Sequence, residues 1–289
     1  MRIAESELII NGDGSAFHLH IRPEQLADKV ILVGDPGRVS LFIPLFDTVE
    51  HQGQAREFVW VTGTYKGTRM TVLSTGIGTD NIDIVMTELD ALANIDFVTR
   101  ELKTEHRTLT VVRLGTSGAV QPDIPIGSYV LSHYSVGFDG LMNWYAGRER
   151  ITDTGMENAF MEHMRWPSTL PTPYFVRASQ RLIDLFADST VKGMTISAPG
   201  FYGPQGRVVR QQLAMPHMLD DIESFRYDGW KITNFEMESS ALAGLAIQLG
   251  HEAITVCCAI ANRYLQDAKT DYKAVIAGLV RLVLDKLSK

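Results

Sequence analysis

The sequence predicts an α/β fold with a largely parallel or mixed sheet and helices on both faces. Three observations predict it. Short, nearly continuous apolar runs recur along the chain, amphipathic stretches fall between them, and glycine-rich turns follow several of the runs. Apolar runs of this kind suit strands buried on both faces, and strands alternating with helices build layered α/β folds.

The elements follow in order. Residues 29–33 (Lys-Val-Ile-Leu-Val) form the first run. Residues 58–62 and 69–74 are the next two, and Tyr65-Lys-Gly-Thr68 between them reads as a hairpin turn. From Asp80, apolar residues at Ile82, Val85, Met86, Leu89 and Leu92 mark one face of a helix, with Thr79 or Asp80 as its cap. Residues 109–114 and 129–136 are further strands, 177–186 a second helix and 191–197 another strand. The proline-rich stretch from Trp166 to Pro173 is expected as an internal loop or lid. A helix over 237–249 stops at Gly250, a residue suited to a helix C-cap. The run 254–260 holds both cysteines, Cys257 and Cys258. Adjacent cysteines rarely form an unstrained disulfide, so buried thiols in a reducing compartment are expected. The last helix covers 272–287.

Length and charge narrow the function classes. At ~150 residues per domain, 289 residues admit two domains or one large one. No break in composition divides the chain, so a single domain over 1–289 is expected. With 27 basic and 34 acidic residues the net charge is −7. An acidic chain without a basic block is not built to wrap nucleic acid or coat an anionic membrane. The start, Met1-Arg-Ile-Ala-Glu-Ser-Glu, lacks the pattern of a signal peptide, and no apolar run approaches the ~18 residues of a membrane span. A cytoplasmic protein is expected.

Three glycine-rich turns follow predicted strands: Val33-Gly-Asp-Pro-Gly-Arg-Val39, Ser74-Thr-Gly-Ile-Gly78 and Arg113-Leu-Gly-Thr-Ser-Gly-Ala119. Glycine lets backbone N–H groups close on an anion, and arginine presents a planar fork to oxyanions. Arg38 and Arg113 lie in two of the turns. Ligands of open α/β sheets collect at strand carboxyl ends, so the turns point to an oxyanion site there. Read singly, each is an ordinary tight turn, and none is a dinucleotide or P-loop fingerprint.

Two further segments carry chemistry. Phe201-Tyr-Gly-Pro-Gln-Gly-Arg207 is a solvated loop by composition. Read for function, Gln205 offers a donor and an acceptor, Arg207 donors only, and Phe201 a stacking face. That set suits a planar ring with carbonyl and imide edges. Asn234-Phe-Glu-Met-Glu-Ser-Ser240 puts Glu236 and Glu238 at a helix start, where acidic residues favour the helix dipole. A carboxylate there also suits vicinal sugar hydroxyls or proton transfer. His18-Leu-His20 has no Cys, Asp or Glu cluster to complete a metal site, so no metal is expected. Asp153, Glu157 and Glu162 read as solvated charges. His106, His133 and His251 show no partner in sequence, and no Gly-x-Ser-x-Gly elbow occurs.

Taken in order, these segments resemble the nucleoside phosphorylase family, which includes uridine phosphorylases and purine nucleoside phosphorylases. The pattern is most similar to the uridine branch. The pieces are Gly34-Asp-Pro-Gly-Arg38, Arg56-Glu-Phe58, Ser74-Thr-Gly-Ile-Gly78, Arg113-Leu-Gly-Thr-Ser-Gly118, the Gln205/Arg207 pair, Phe235-Glu-Met-Glu-Ser239 and Asn262-Arg263, spread from about Phe17 to the C-terminus. The resemblance implies a three-layer α/β/α fold with a central mixed, partly barrel-like sheet. It implies a pentosyltransferase that splits uridine with inorganic phosphate into uracil and ribose 1-phosphate, with no cofactor.

Roles follow from the same resemblance. Gly34, Arg38, Arg113 and Thr116 match phosphate-binding residues, and Arg56 an arginine contributed across a dimer interface. His18 matches a histidine from the neighbouring subunit that touches the ribose 5′ hydroxyl. Met237 and Glu238 match the ribose pair. Gln205 and Arg207 match the pair that holds uracil, Phe201 its stacking aromatic, and Ile260 and Ala261 the lining of the base pocket. Arg263 lies on a segment that can gate the site, with Glu236 as its partner. Arg113, Glu238 and Arg207 are the expected catalytic residues. A homo-oligomer is implied, with a dimer as the minimal active unit, a hexamer left open, and room for a monovalent cation near Glu57 and Ser74.

The chain also departs from the family pattern. The segment 99–108 and the stretch near Trp166 look longer than in compact bacterial relatives, and Gly203-Pro204 reverses an expected Pro-Gly order. Purine-specific relatives carry an aspartate in the segment matching 259–266. Here Asp267 is the nearest and lies too far along, which favours a pyrimidine. Other readings are a purine nucleoside phosphorylase, a nucleosidase that uses water, and a non-catalytic nucleoside binder. The last two have no need of Arg38, Arg56 and Arg113 together.

Overall fold

A computed structural model describes residues 2–268 and 271–289. One mixed sheet of twelve strands runs through it. Its strands are β1 (Lys29–Val33), β2 (Thr48–Ala55), β3 (Phe58–Tyr65) and β4 (Thr68–Ser74), then, after the small ribbon β5 (Ile95–Asp96) and β6 (Glu101–Leu102), β7 (Thr110–Ala119), β8 (Tyr129–Gly137), β9 (Tyr174–Arg177), β10 (Val191–Ser197), β11 (Arg226–Tyr227), β12 (Trp230–Glu236), β13 (Glu252–Asn262) and β14 (Asp267–Ala268). Among the described residues six α-helices accompany them: α1 (Thr79–Asn94), α2 (Thr154–Met164), α3 (Gln180–Phe186), α4 (Met218–Ser224), α5 (Ser239–Gln248) and α6 (Lys273–Leu287).

The sheet order β11-β12-β10-β8-β13-β7-β1-β4-β3-β2 is joined back on itself where β12 pairs with β7. Five strands therefore close into a ring: β7, β13, β8, β10 and β12. The closure is short and antiparallel, with only Asn234 opposite Ala119 and Phe235 opposite Gly118. Outside the ring, β1 to β4 extend as an open sheet. Helices α1 and α5 cover one face, packing Ile82, Val85, Met86, Leu89 and Leu92 against Leu242, Leu245 and Ala246. Helices α3 and α6 cover the other with Leu182, Ile183, Phe186 and the stripe Ile276, Leu279, Val280, Val283, Leu284 and Leu287. Each such side chain removed from water contributes roughly 1.5–3 kcal/mol. Among the described residues no helix is long and apolar enough to cross a membrane.

The strands expected at 29–33 and 191–197 have those bounds, and the Tyr65–Thr68 turn is a tight hairpin with Lys66 and Gly67 both at positive φ. Other expectations are corrected. The α1 cap is neither Thr79 nor Asp80. Gly78 stands there at φ 105°, a conformation a side chain would resist. Arg177 ends β9 and is not in a helix, because residues 174–177 pair with the edge of β8. The glycine-rich segment after Leu114 is not a turn, since β7 continues through it to Ala119 while pairing with β13. Glu157 is not solvated. It is buried on α2 and meets Arg148 at 3.0 Å, while Asp153 caps that helix by accepting from the Met156 N–H. Cys257 and Cys258 are buried free thiols, pushed up to about 12 and about 11 respectively, burial being the main cause.

Both long segments have structural work. In 99–108, buried Arg100 donates to the carbonyls of Ile3, Ala4 and Leu8, so this segment staples the N-terminal arm to the body. The proline-rich stretch folds Trp166 against Phe138 and Phe160, and it does not reach the cavity described next.

Candidate active site

Register brings the glycine-rich segments together. Val33 pairs with Ser74 on one side and with Leu114 on the other, so β1 and β4 end at one level and β7 passes the same point. Ring closure sets Phe235 beside Gly118, and β13 sets Ala261 beside Gly118 from the opposite side. A cavity of about 1050 Å³ opens there. Of the residues singled out in the sequence, Gly34, Arg38, Arg113, Thr116, Phe201, Gln205, Arg207, Glu236, Met237, Glu238, Ile260 and Ala261 line it. Arg56, His18 and Arg263 do not.

Arg113 is the centre of the charged end. It is 4 % exposed and held by two carboxylates: Nη1 lies 3.0 Å from Glu236, and Nη2 donates to Glu238. Nη1 also faces the Cys257 sulfur at 3.7 Å. Burial works against the guanidinium charge, but Glu238 and Glu236 outweigh it and hold the group above its ordinary range. Among the described residues no protein acceptor meets buried Nε. Nε–H and one Nη2–H share one edge of the planar guanidinium, and the other edge holds the carboxylates. Gly115 makes this possible, because a Cβ there would sit 2.4 Å from Arg113 Nη1.

Glu236 is not the partner of Arg263. Its carboxylate accepts from Ser197 Oγ at 2.6 Å, Ser239 Oγ at 2.8 Å, and the backbone N–H groups of Glu238 and Ser239 at 3.0 and 2.9 Å. These bonds fix the turn from β12 into α5, which presents Met237 and Glu238. Glu238 accepts from the Gly78 N–H at 2.8 Å as well as from Arg113. Burial raises its carboxyl above the usual range, and Arg113 pulls the other way. Arg263 reaches across to the far loop, donating to the Gln205 carbonyl at 2.9 Å.

That loop forms the other end of the cavity. Arg207 lies 3.7 Å above the Phe201 ring and donates to Gln205 Oε1 at 2.6 Å. The contact fixes the Gln205 amide, turning its NH₂ away from Arg207 with no protein acceptor among the described residues. Burial, and then Arg263, bring the Arg207 guanidinium down to about 10.

His18 packs against α1 from the N-terminal arm, with its Nδ1 2.6 Å from Glu88. Asn81, seven residues before Glu88 on the same helix face, lines the cavity. Two turns of helix, about 10 Å, therefore separate His18 from its own chain's cavity. Arg56 stands at the β2–β3 turn with φ 52°. Sequence reasoning missed Asp35, Ile77, Asn81, Ser117 and Tyr272 in the cavity wall, and Glu88 behind His18. Asp35, Ile77 and Ser117 lie inside the quoted motifs, whereas Asn81, Tyr272 and Glu88 carry no local signal. At the opposite strand ends, ligand-type atoms of Asp90, His106 and His251 come within 4.8 Å of one another. His251 Nδ1 accepts from the Leu109 N–H, so Nε2 carries the ring proton beside Asp90 and has no lone pair to give a cation.

Fold and site together define a member of the phosphorylase superfamily. The family model matches residues 28–283, and the chain belongs to that family. Within it, the chain is 30 % identical over 256 residues to a uridine phosphorylase of Thermococcus kodakarensis, covering 87 % of this chain and 79 % of the relative. A DeoD-type purine nucleoside phosphorylase of Geobacillus stearothermophilus is 28 % identical over 240 residues, 83 % of each chain. The solved structure of a Trypanosoma brucei nucleoside phosphorylase, described as showing uridine phosphorylase activity, superposes with a TM-score of 0.87 at 28 % identity, covering 97 % of this chain and 99 % of that one. The mixed sheet with its five-strand ring matches that fold.

Proposed function

We propose that this chain catalyses the reversible phosphorolysis of uridine to uracil and ribose 1-phosphate. The observation that carries the reading is the pairing of two devices across one cavity: buried Arg113 locked to Glu238 at one end, and half-buried Arg207 locked to Gln205 at the other. The uridine phosphorylases among its relatives support the choice of base.

In this reading phosphate is bound beside Arg113, with Arg38, Thr116 and the Gly34 backbone completing its site. Glu238 accepts from the ribose 2′ and 3′ hydroxyls. An oxygen of phosphate forms the bond to C1′ as the bond from C1′ to the base nitrogen breaks, and the electron pair leaves with uracil. Charge then grows on the uracil carbonyls, where Arg207 and the Gln205 amide donate. The sugar passes through an oxocarbenium-like state flanked by the phosphate and by Glu238, so no side-chain nucleophile is needed. Phe201 stacks on the ring, with Ile260 and Ala261 on its other side. Arg56 and His18 act in the cavity of a second copy, which makes a dimer the smallest active unit. Inorganic phosphate is a co-substrate, and a monovalent cation near Glu57 and Ser74 belongs to the same proposal.

The test is release of free base from uridine and inosine, each with and without phosphate, with deoxyuridine and thymidine alongside. Phosphate-dependent release from uridine and not inosine is expected. Release from inosine moves the reading to a purine nucleoside phosphorylase, and release without phosphate to a nucleosidase.

A further inference from the structure

Behind the turn that presents Glu238, another carboxylate grips α5. Asp139 follows β8, and three neutral donors are turned on it. Tyr174 Oη donates to Oδ1 at 2.8 Å, the Leu141 N–H to Oδ1 at 2.8 Å, and Ser240 Oγ to Oδ2 at 2.8 Å. Tyr174 and Ser240 are fully buried. Two glycines make room for the contact. The Tyr174 ring crosses Gly137, where a Cβ would sit 2.2 Å from it. Gly140, at φ 77°, lets the chain turn the Leu141 N–H back onto Asp139.

The bond from Ser240 leads on to the site. The Ser240 N–H donates to Ser197 Oγ at 2.8 Å, Ser197 Oγ donates to Glu236 at 2.6 Å, and Glu236 holds Arg113 at 3.0 Å. Ser239 and Ser240 open α5 immediately after Glu238. Asp139, Tyr174, Ser197 and Ser240 lie behind the cavity wall and do not line it. Stability alone does not account for the Asp139 carboxylate. Burial raises its carboxyl above the usual range, and its partners are all neutral. Desolvating a charge that no cation meets offsets most of what its hydrogen bonds contribute. A local rule broken in this way is expected where function requires it.

We infer that Asp139 is a positioning residue for the phosphorolysis. Through Ser240 and the relay of Ser197 and Glu236, it fixes the first turn of α5 and so the place where Glu238 meets Arg113. This rests on the reading above, on its phosphate and sugar end only. A misplacement of about 1 Å at a reacting group costs up to about 100-fold in rate.

The experiment measures phosphate-dependent release of base from uridine and inosine in the wild type, Asp139→Asn, Ser240→Ala and the double variant, beside amide hydrogen exchange of α5. In Asp139→Asn the side-chain carbonyl still accepts from Leu141 and Tyr174, while the NH₂ faces Ser240 Oγ and reverses that bond without its charge. The variant is expected to lower kcat by about 10- to 100-fold. The KM for the nucleoside should change little, because the Gln205–Arg207 end is not on the relay. Exchange of the Ser239 and Ser240 amides should quicken by about tenfold or more, with α1 and α6 at the wild-type rate. Ser240→Ala should do the same, and the double variant should be no slower than the slower single, since both cut one path. An Asp139→Asn enzyme with wild-type kcat overturns the inference. So does a fall in kcat with α5 exchange unchanged, and so do additive losses in the double variant. Should Asp139→Asn not fold, Ser240→Ala, which leaves Asp139 bonded to Tyr174 and Leu141, decides by the same two readouts. A wild type that splits inosine and not uridine moves the base reading and leaves the comparison of variants standing. A wild type that splits neither ends the phosphorolysis reading, and exchange at Ser239 and Ser240 then decides alone: faster in Asp139→Asn supports the positioning role, and unchanged overturns it.

Discussion

Replacing Glu236 by Gln changes one charged oxygen to an NH₂ and almost nothing in shape. The remaining carbonyl oxygen can keep the place that accepts from Ser197 Oγ, Ser239 Oγ and the Ser239 N–H. The new NH₂ then faces the Glu238 N–H and Arg113 Nη1, each 3.0 Å away and each a donor. The variant therefore loses a charge-assisted bond and sets donors against donors in a nearly buried place. Removing one partner of a buried ion pair costs about 3–5 kcal/mol. The second carboxylate on Arg113 keeps the figure at the lower end, because the guanidinium is not left wholly uncompensated. Urea unfolding followed by far-UV circular dichroism should show the midpoint fall with little change in slope. Thermal unfolding should fall by on the order of 10 °C. Uridine turnover should fall as well, since the turn carrying Glu238 loses its anchor. A Glu236→Gln protein within about 1 kcal/mol of wild type would refute the claim that this carboxylate fixes Arg113 and the turn.

Arg207→Ala should lower kcat/KM for uridine by roughly 10²–10³ while the KM for phosphate changes little, as initial rates at varied phosphate will show. Arg56→Ala and Arg207→Ala should each be nearly inactive alone, yet mixing them through dissociation and reassembly should recover about a quarter of wild-type activity, because a mixed dimer holds one intact site. Failure to complement would remove Arg56 from the neighbour's cavity. His133 is brought down to about 4, chiefly by burial and then by Arg177 and Lys192. The unfolded chain therefore binds a proton that the native ring refuses between about pH 6.5 and pH 4, so stability rises with pH across that window. His133→Phe keeps a ring against Trp230, now 4.0 Å from the imidazole, and should flatten that part of the stability-pH curve.

What the sequence made legible was local. The stripe Ile82, Val85, Met86, Leu89 and Leu92 belongs to a helix with one wet face, and all five residues are buried. Helix α5 has no such stripe. Residues 239–246 are buried on every side between the sheet, α1 and the turn of Met142, so no 3.6-residue period could mark it, and its start was set two residues early. Strand β12, Trp-Lys-Ile-Thr-Asn-Phe-Glu, has weak alternation of its own. It becomes a strand because β10 and β7 both offer it an edge. The site divides in the same way. Glycine and arginine motifs pointed to an oxyanion cradle, and the Gln205/Arg207 pair to a base clamp, but the contact between those two side chains appears only in the structure. The grip of Glu236 and Glu238 on Arg113 joins residues more than 120 positions apart, which only the closing of the ring reveals. Glu88 was invisible for a further reason: on a helix, a buried glutamate and a solvated one are spelled alike.

The ring closes through two residue pairs, and one of them joins Phe235, next to Glu236, to Gly118, in the strand that carries Arg113. The seam of the barrel thus also ties the Glu236–Glu238 turn to the strand of Arg113. A fluctuation that parted β12 from β7 would draw the Glu236 and Glu238 carboxylates away from the Arg113 guanidinium while the packed faces of α1 and α6 and the open half of the sheet stayed in place. Such a molecule would look native by circular dichroism and by size, and would turn over nothing. Amide exchange at Gly118 and Phe235, not bulk folded content, is therefore the quantity that counts active sites in a preparation, and additives or substitutions that tighten this one seam would raise specific activity without moving the melting temperature.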